Sequence, residues 1–149
     1  MCTNKEELIL TLKTFFKEKA DFFGVEMAFL YGSWARGYPR EDSDVDIALI
    51  FSKEPSFEED IFKALTDTSF EVSIKIGKEA NIIFIDKDFR KPMLYYNAIV
   101  LGIPLYVKHF EKYIILKNQA IVQMEDFSLF GIDWQLKTTK RNLEALQHA

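Results

Sequence analysis

The stretch "YGSWARGYPREDSDVDIAL", residues 31–49, constrains this chain more than any other. Gly32-Ser33 directly follows one apolar run, "VEMAFLY", and Asp44 and Asp46 head a second, "VDIALIF". Side chains two apart on a strand share a face. Asp44 and Asp46 therefore project together, while Val45 and Ile47 enter the opposite layer. Carboxylates this close repel one another unless a proton or a cation lies between them. Two hard oxygen ligands on one strand suit Mg²⁺, which takes few protein carboxylates and completes its shell with water and substrate phosphate oxygens.

The upstream pair supplies an anion side. Gly32 allows a close backbone approach. Ser33 offers a hydroxyl and an N–H at an expected helix start, where negative charge is favoured. Arg36 lies one helical turn later and reaches the same anion. Together these parts describe a metal-bound triphosphate clamped between a helix start and a carboxylate-bearing strand. Taken singly they say less. A lone Asp-x-Asp is common at solvated strand ends, Gly-Ser is a turn, and Arg36 and Arg40 can pair with Glu41 and Asp42 on the surface for little gain. The order of the parts carries the argument.

The flanking pattern predicts alternating helices and strands. Leu8, Leu12, Phe15, Phe16 and Lys19 recur at helical spacing behind Thr3 or Asn4 as N-cap, and Gly24 ends the pattern. Val25–Tyr31 reads as a buried strand and Ser33–Gly37 as a first helical turn. A loop follows, then a strand over "DVDIALIF". A helix begins after Ser56, with Glu58, Glu59 and Asp60 at its positive end. The segment "FEVSIKIG" alternates Phe70, Val72, Ile74 and Ile76 like a strand, yet Gly77 suits a helix C-cap. Ala80–Asp86 is a third strand. "PMLYYNAIVLG" is a helix with Pro92 in its first turn, and "IPLY" is a short last strand. From Lys108 onward the chain is mainly helical, with an interruption expected near Gly131. This is an α/β (α+β) class chain, a small mixed sheet flanked by helices.

A length of 149 residues with 48% apolar content and 14 Phe favours one domain with a modest appendage. A formal net charge of −4 argues against a general nucleic-acid binder. The single cysteine, Cys2, excludes an internal disulfide and suits a reducing compartment. No signal-peptide pattern and no apolar run of ~20 residues occurs. The expected location is cytoplasmic, away from membranes.

Gly32-Ser33, then ten residues (34–43), then Asp44-Val45-Asp46 resembles the signature of the minimal nucleotidyltransferases of the polymerase-beta-like superfamily. The finer pattern is met by Gly32, Ser33, Ala35, Arg36, Gly37, Ser43, Asp44 and Asp46. The resemblance spans roughly residues 25–106. It implies a polymerase-beta-like fold in which "FEVSIKIG" closes a helix. It implies that Asp44 and Asp46 bind two Mg²⁺ ions, that Gly32, Ser33 and Arg36 hold ATP, and that a nucleoside monophosphate passes to an acceptor hydroxyl as pyrophosphate leaves. The family's third carboxylate falls on Asn81. An amide oxygen can ligate a metal but cannot take a proton at neutral pH. Asp86 lies on the opposite strand face, while Glu79 and Asp88 sit near strand ends.

Small stand-alone members resemble the antitoxins of HEPN–MNT pairs, which adenylylate a tyrosine of a HEPN ribonuclease toxin. The resemblance implies such a toxin as partner and leaves room for a homo-oligomer. A binding-only antitoxin and a small-molecule (aminoglycoside-type) nucleotidyltransferase are the alternatives. Residues 1–107 would form the core and 108–149 a helical extension packed on the core or a partner. Its apolar residues Ile114, Ile115, Ile121, Val122, Phe127, Leu129 and Phe130 are expected mostly to cover the core. Trp34 is expected to stack on a base or be buried, Tyr95 and Tyr96 to be core, and His109 and His148 to hold no metal.

Overall fold

The structure is a computed structural model that describes residues 4–37, 39 and 43–147, without the side chain of Phe130. Cys2, Thr3, Arg40, Glu41, Asp42 and His148, named above, lie outside the described residues.

Helix α1 (Lys5–Phe23) starts at Asn4, whose side chain accepts from the Glu7 N–H at 2.8 Å. Such a cap contributes about 1 kcal/mol. Gly24 ends the helix in the left-handed conformation. Leu8, Leu12, Phe15, Phe16 and Ala20 form its buried stripe, so Ala20 takes the inward position expected of Lys19. Strand β1 (Val25–Tyr31) follows, then α2 (Ser33–Arg36), one turn long and closed by Gly37. β2 (Val45–Phe51), α3 (Glu58–Ile76), β3 (Ala80–Phe84), α4 (Pro92–Ile99), β4 (Ile103–Val107) and α5 (Phe110–Gln147) complete the chain.

The four strands lie in the order β3-β2-β1-β4, with β1 antiparallel to both neighbours and β2 parallel to β3. The sheet is mixed, as the residue pattern predicts. One face carries Ala28, Leu30, Val45, Ile47 and Leu49 against α1 and α3. The other carries Phe29, Ala48 and Ile85 against Tyr95, Ala98 and Ile99 of α4 and Ala120 of α5. Gly102 brings α4 close to β1: a Cβ there would meet the Ala98 carbonyl and lie 2.6 Å from the Leu30 carbonyl oxygen.

"FEVSIKIG" is helical. Thr68, Val72 and Ile76, four residues apart, are buried in α3, whereas Phe70 and Ile74 face outward. The Ser69 hydroxyl donates to the Ala80 carbonyl at 2.6 Å, and the Ser73 hydroxyl accepts from the Ala80 N–H at 3.1 Å. The last turns of α3 thus hold the first residue of β3.

Two expectations for the C-terminal segment are corrected. α5 runs through Gly131 without a break. A helix-interior glycine costs about 1 kcal/mol, too little to stop a helix of this length. Most of the apolar residues named for core cover are instead exposed: Ile114, Ile115, Val122, Phe127 and Leu129. The core takes Ala120, with Tyr113 and Leu116 beside it.

Candidate active site

The sheet brings three polar side chains into one row. Tyr31 on β1 pairs with Asp46 on β2, which pairs with Asn81 on β3. Asp44 stands two residues ahead of Asp46, and Val45 and Ile47 between and beyond them are buried in the opposite layer. The β2–β3 register is fixed by the Val45 N–H donating to the Glu79 carbonyl at 2.9 Å. Asn81 is therefore the β3 residue nearest the aspartates. Its amide donates to the Asp44 carboxylate at 3.0 Å.

Asp46 is half-buried, and its carboxyl is pushed above the usual carboxylate range. Burial is the main cause, the Asn81 amide opposes it, and the Asp44 charge adds to it. Tyr31 is pushed up to about 12, first by burial and then by the Asp46 charge. Tyr31 thus stays a neutral hydroxyl beside the acids at physiological pH.

Gly32 occupies a backbone conformation reserved for glycine, φ 76° and ψ −153°. A Cβ on it would run into the Asp46 carboxylate. The turn and the acid are built against each other. The N–H groups of Ala35 and Arg36 both donate to the Gly32 carbonyl, at 3.2 and 3.1 Å. The N–H groups of Ser33 and Trp34 head this turn, ahead of its internal hydrogen bonds. The Lys5 ammonium donates to the Ala35 carbonyl at 3.0 Å and ties α1 to this turn. Trp34 is buried, with its indole N–H donating to the Ser43 carbonyl at 3.1 Å and Lys78 over its ring. It anchors the turn and is not a base platform.

Beside the turn lies an open cleft of about 480 Å³ lined by Tyr31, Gly32, Ser33, Arg36, Leu94 and Asn97, among others. Gly32, Ser33 and Arg36 thus line one cleft, and the Asp46 carboxylate packs against Gly32. Sequence reasoning missed Tyr31, Leu94 and Asn97. Tyr31 carried a signal, as the last strand residue before Gly32. Leu94 and Asn97 carried none, because α4 reaches the site only through the fold.

Two of the other acids lie elsewhere, whereas Glu79 adjoins β3 beside the aspartates, its carbonyl accepting from the Val45 N–H. Asp86 accepts from the Tyr95 hydroxyl and the Arg90 N–H beyond the far end of β3, and Asp88 lies 3.6 Å from Arg90. Among the described residues no group of three or more His, Cys, Asp or Glu gathers that can hold a metal. Asp44 and Asp46 do fit a hard divalent ion whose other ligands are water and phosphate. The Asn81 amide supplies the positive end of a dipole to the Asp44 carboxylate.

The chain belongs to the polymerase beta nucleotidyltransferase family, whose model matches residues 11–111. It is 43% identical over 51 residues, 34% of this chain and 52% of the relative, to the protein adenylyltransferase MntA of Thermococcus cleftensis. The chain spans about half the length of that curated relative. It also resembles a chain of a toxin–antitoxin crystal structure with AMP-PNP, at TM-score 0.67 and 12% identity over 86% of this chain and 98% of that one. For the MntA–HepT toxin–antitoxin structure the values are 0.62 and 11%, over 87% and 97%. For the tri-AMPylated Shewanella oneidensis HEPN toxin in complex with MNT antitoxin they are 0.57 and 10%, over 85% and 98%. At these identities the likeness establishes the shared fold. No described helix is long and apolar enough to cross a membrane.

Proposed function

We propose that this chain is an antitoxin-type adenylyltransferase that moves AMP from ATP to a tyrosine hydroxyl of a HEPN toxin. The observation that carries this reading is Asp46 packed against Gly32. The contact of an acid-bearing strand with the Gly32-Ser33 turn, beside a cleft, supports reading the turn as the phosphate side and the aspartates as the metal side. Residues 1–107 serve as the transferase core and 108–149 as the extension.

In the reaction the acceptor oxygen attacks the α-phosphorus. The bond from that phosphorus to the oxygen of the leaving pyrophosphate breaks, and the hydroxyl proton leaves the acceptor. Ser33 and the turn's backbone N–H groups hold the phosphates, and Arg36 offsets their charge. Asp44 and Asp46 would hold Mg²⁺, two ions in all, which supply charge stabilisation for the attacking and leaving oxygens. Asn81 cannot take the proton, so of these three residues only the two aspartates can. The cleft beside the turn is not closed over, which favours a protein acceptor that brings its own half of the site. The MntA relative and the toxin–antitoxin structures support the same direction.

One observation favours a second reading, neutralisation by contact alone: the Asn81 amide in the third-acid position. Co-expression with the toxin and intact-mass measurement separates the two. Transfer makes the toxin heavier by whole AMP units, and Asp44→Ala with Asp46→Ala abolishes both the added mass and the protection. An unmodified toxin still neutralised by the double variant establishes contact alone.

A further inference from the structure

The second half of α5 is a helix without a bed. From Glu125 to Gln147 the described side chains are exposed, apart from the half-exposed Gly131 and Thr138. In proteins most helical stability comes from packing of an apolar face and not from helix propensity. Yet this stretch is not polar throughout. Ile115, Val122, Leu129, Leu136 and Leu143 recur at a strict seven-residue spacing and are 67%, 54%, 65%, 66% and 56% exposed. Ile132 and Leu146, each three residues past a member of that series, are exposed as well. A seven-residue apolar repeat is the pattern of a helix that winds on another helix.

This stripe is separate from the face that meets the core. Ala120 is buried against the core cluster around α4. Leu129 lies nine residues, or ~2.5 turns, further on, which places it on the opposite side of α5. The core contact therefore does not account for the repeat.

We propose that the occupant is the same helix of a second copy of this chain, packed antiparallel. The sequence selects both direction and register. With Leu129, Leu136 and Leu143 at the first seam position of each heptad, Ile132, Thr139 and Leu146 take the second. Antiparallel seams pair first with second positions. Leu129 then meets Leu146 of the second copy, Ile132 meets Leu143, and Leu136 meets Thr139, each twice by symmetry. In this register the flanking charges also match. Asp133 faces Lys140 of the second copy and Lys140 faces Asp133, while Gln135 faces Asn142.

Competing arrangements are worse. A shift of one heptad toward the core sets Asp133 against Asp133 and puts Glu125 in the seam. The opposite shift sets Lys140 against Lys140. A parallel pair stacks Glu125 on Glu125 and leaves Asp133 and Lys140 without opposite-charge partners across the seam. Flanking charges of this kind set partner and orientation in coiled coils. In the single chain Asp133 is met by Lys137 at 3.0 Å. That exposed contact is worth little and can be shared or given up.

The test reads mass in solution and not activity, so it stands apart from the transfer reaction. Sedimentation velocity of the full chain at micromolar concentration is expected to show a dimer. Asp133→Lys alone and Lys140→Asp alone each place like charges across the seam, and each weakens dimerisation about tenfold or more. An equimolar mixture of the two variants restores it, because each chain then meets its complement. Circular dichroism of each variant checks that the helix persists. A monomeric wild type overturns the proposal. Single variants as dimeric as the wild type, or a mixture that fails to recover, overturn the antiparallel seam.

Discussion

The Asn81 side-chain amide donates to the Asp44 carboxylate at 3.0 Å, from the strand position paired with Asp46. An amide, not an acid, thus stands beside the two aspartates on the neighbouring strand. It eases the repulsion between Asp44 and Asp46 through a hydrogen bond and adds no charge.

Asn81→Asp is expected to raise the rate of the proposed AMP transfer. The new carboxylate can take a proton and bind a divalent ion more strongly. General-base catalysis is worth ~10²–10⁴-fold, and a site adapted to an amide recovers part of that. Single-turnover transfer at fixed Mg²⁺ measures it. An unchanged rate in a folded variant means that another group accepts the proton.

Asp46→Asn is expected to stabilise the metal-free protein at neutral pH while abolishing transfer. Burial raises the Asp46 carboxyl above its ordinary value. Folding is therefore penalised wherever Asp46 is charged, and the penalty disappears as the pH falls through its raised folded value toward 3.8. Thermal melts in chelator should put the variant a few degrees above wild type at pH 7. The gap should close as the buffer is acidified. A variant melting at or below wild type at pH 7 contradicts the charge argument.

Gly32→Ala is expected to weaken ATP binding by an order of magnitude or more and to lower stability by about 1–3 kcal/mol. The substitution strains the backbone at φ 76° and drives a methyl group into the Asp46 carboxylate. Gly37→Ala is the control. Gly37 also has positive φ, 89°, but nothing lies within 4 Å of its added Cβ. It should cost stability alone, and calorimetry with an ATP analogue separates the two.

Tyr95→Phe is expected to cost about 1–3 kcal/mol, because it takes a hydroxyl donor from the buried Asp86 carboxylate. The effect should shrink in strong alkali. Burial, then the Asp86 hydrogen bond, pushes Tyr95 up to about 12 from 10.0. The unfolded tyrosine therefore ionises first, and the stability this residue provides is lost as the pH rises from 10 through 12. Denaturant melts at pH 8 and 11 test both parts.

Much of the site was legible in the chain, because its grammar is local. The ten residues between Gly32-Ser33 and Asp44 open in the one-turn helix α2 that follows β1 and end just before β2. Strand alternation alone sends Asp44 and Asp46 to one side and Val45 and Ile47 to the other. The caps of α1 at Asn4 and Gly24 are equally local, since each rests on one side chain or one backbone angle. Where local signals conflicted, packing decided. "FEVSIKIG" alternates like a strand, but Thr68, Val72 and Ile76 find the core only at helical spacing, and Ser69 and Ser73 meet Ala80 only from a helix. The neighbours of the acids were non-local too. Asn81 reaches Asp46 through the parallel β2–β3 register, and Leu94 and Asn97 reach the cleft through the close approach of Gly102 to β1. In α5 the sequence carried the seven-residue apolar series, but not which side was already covered. That depended on Ala120 meeting the core, because burial belongs to surfaces brought together from distant parts of the chain.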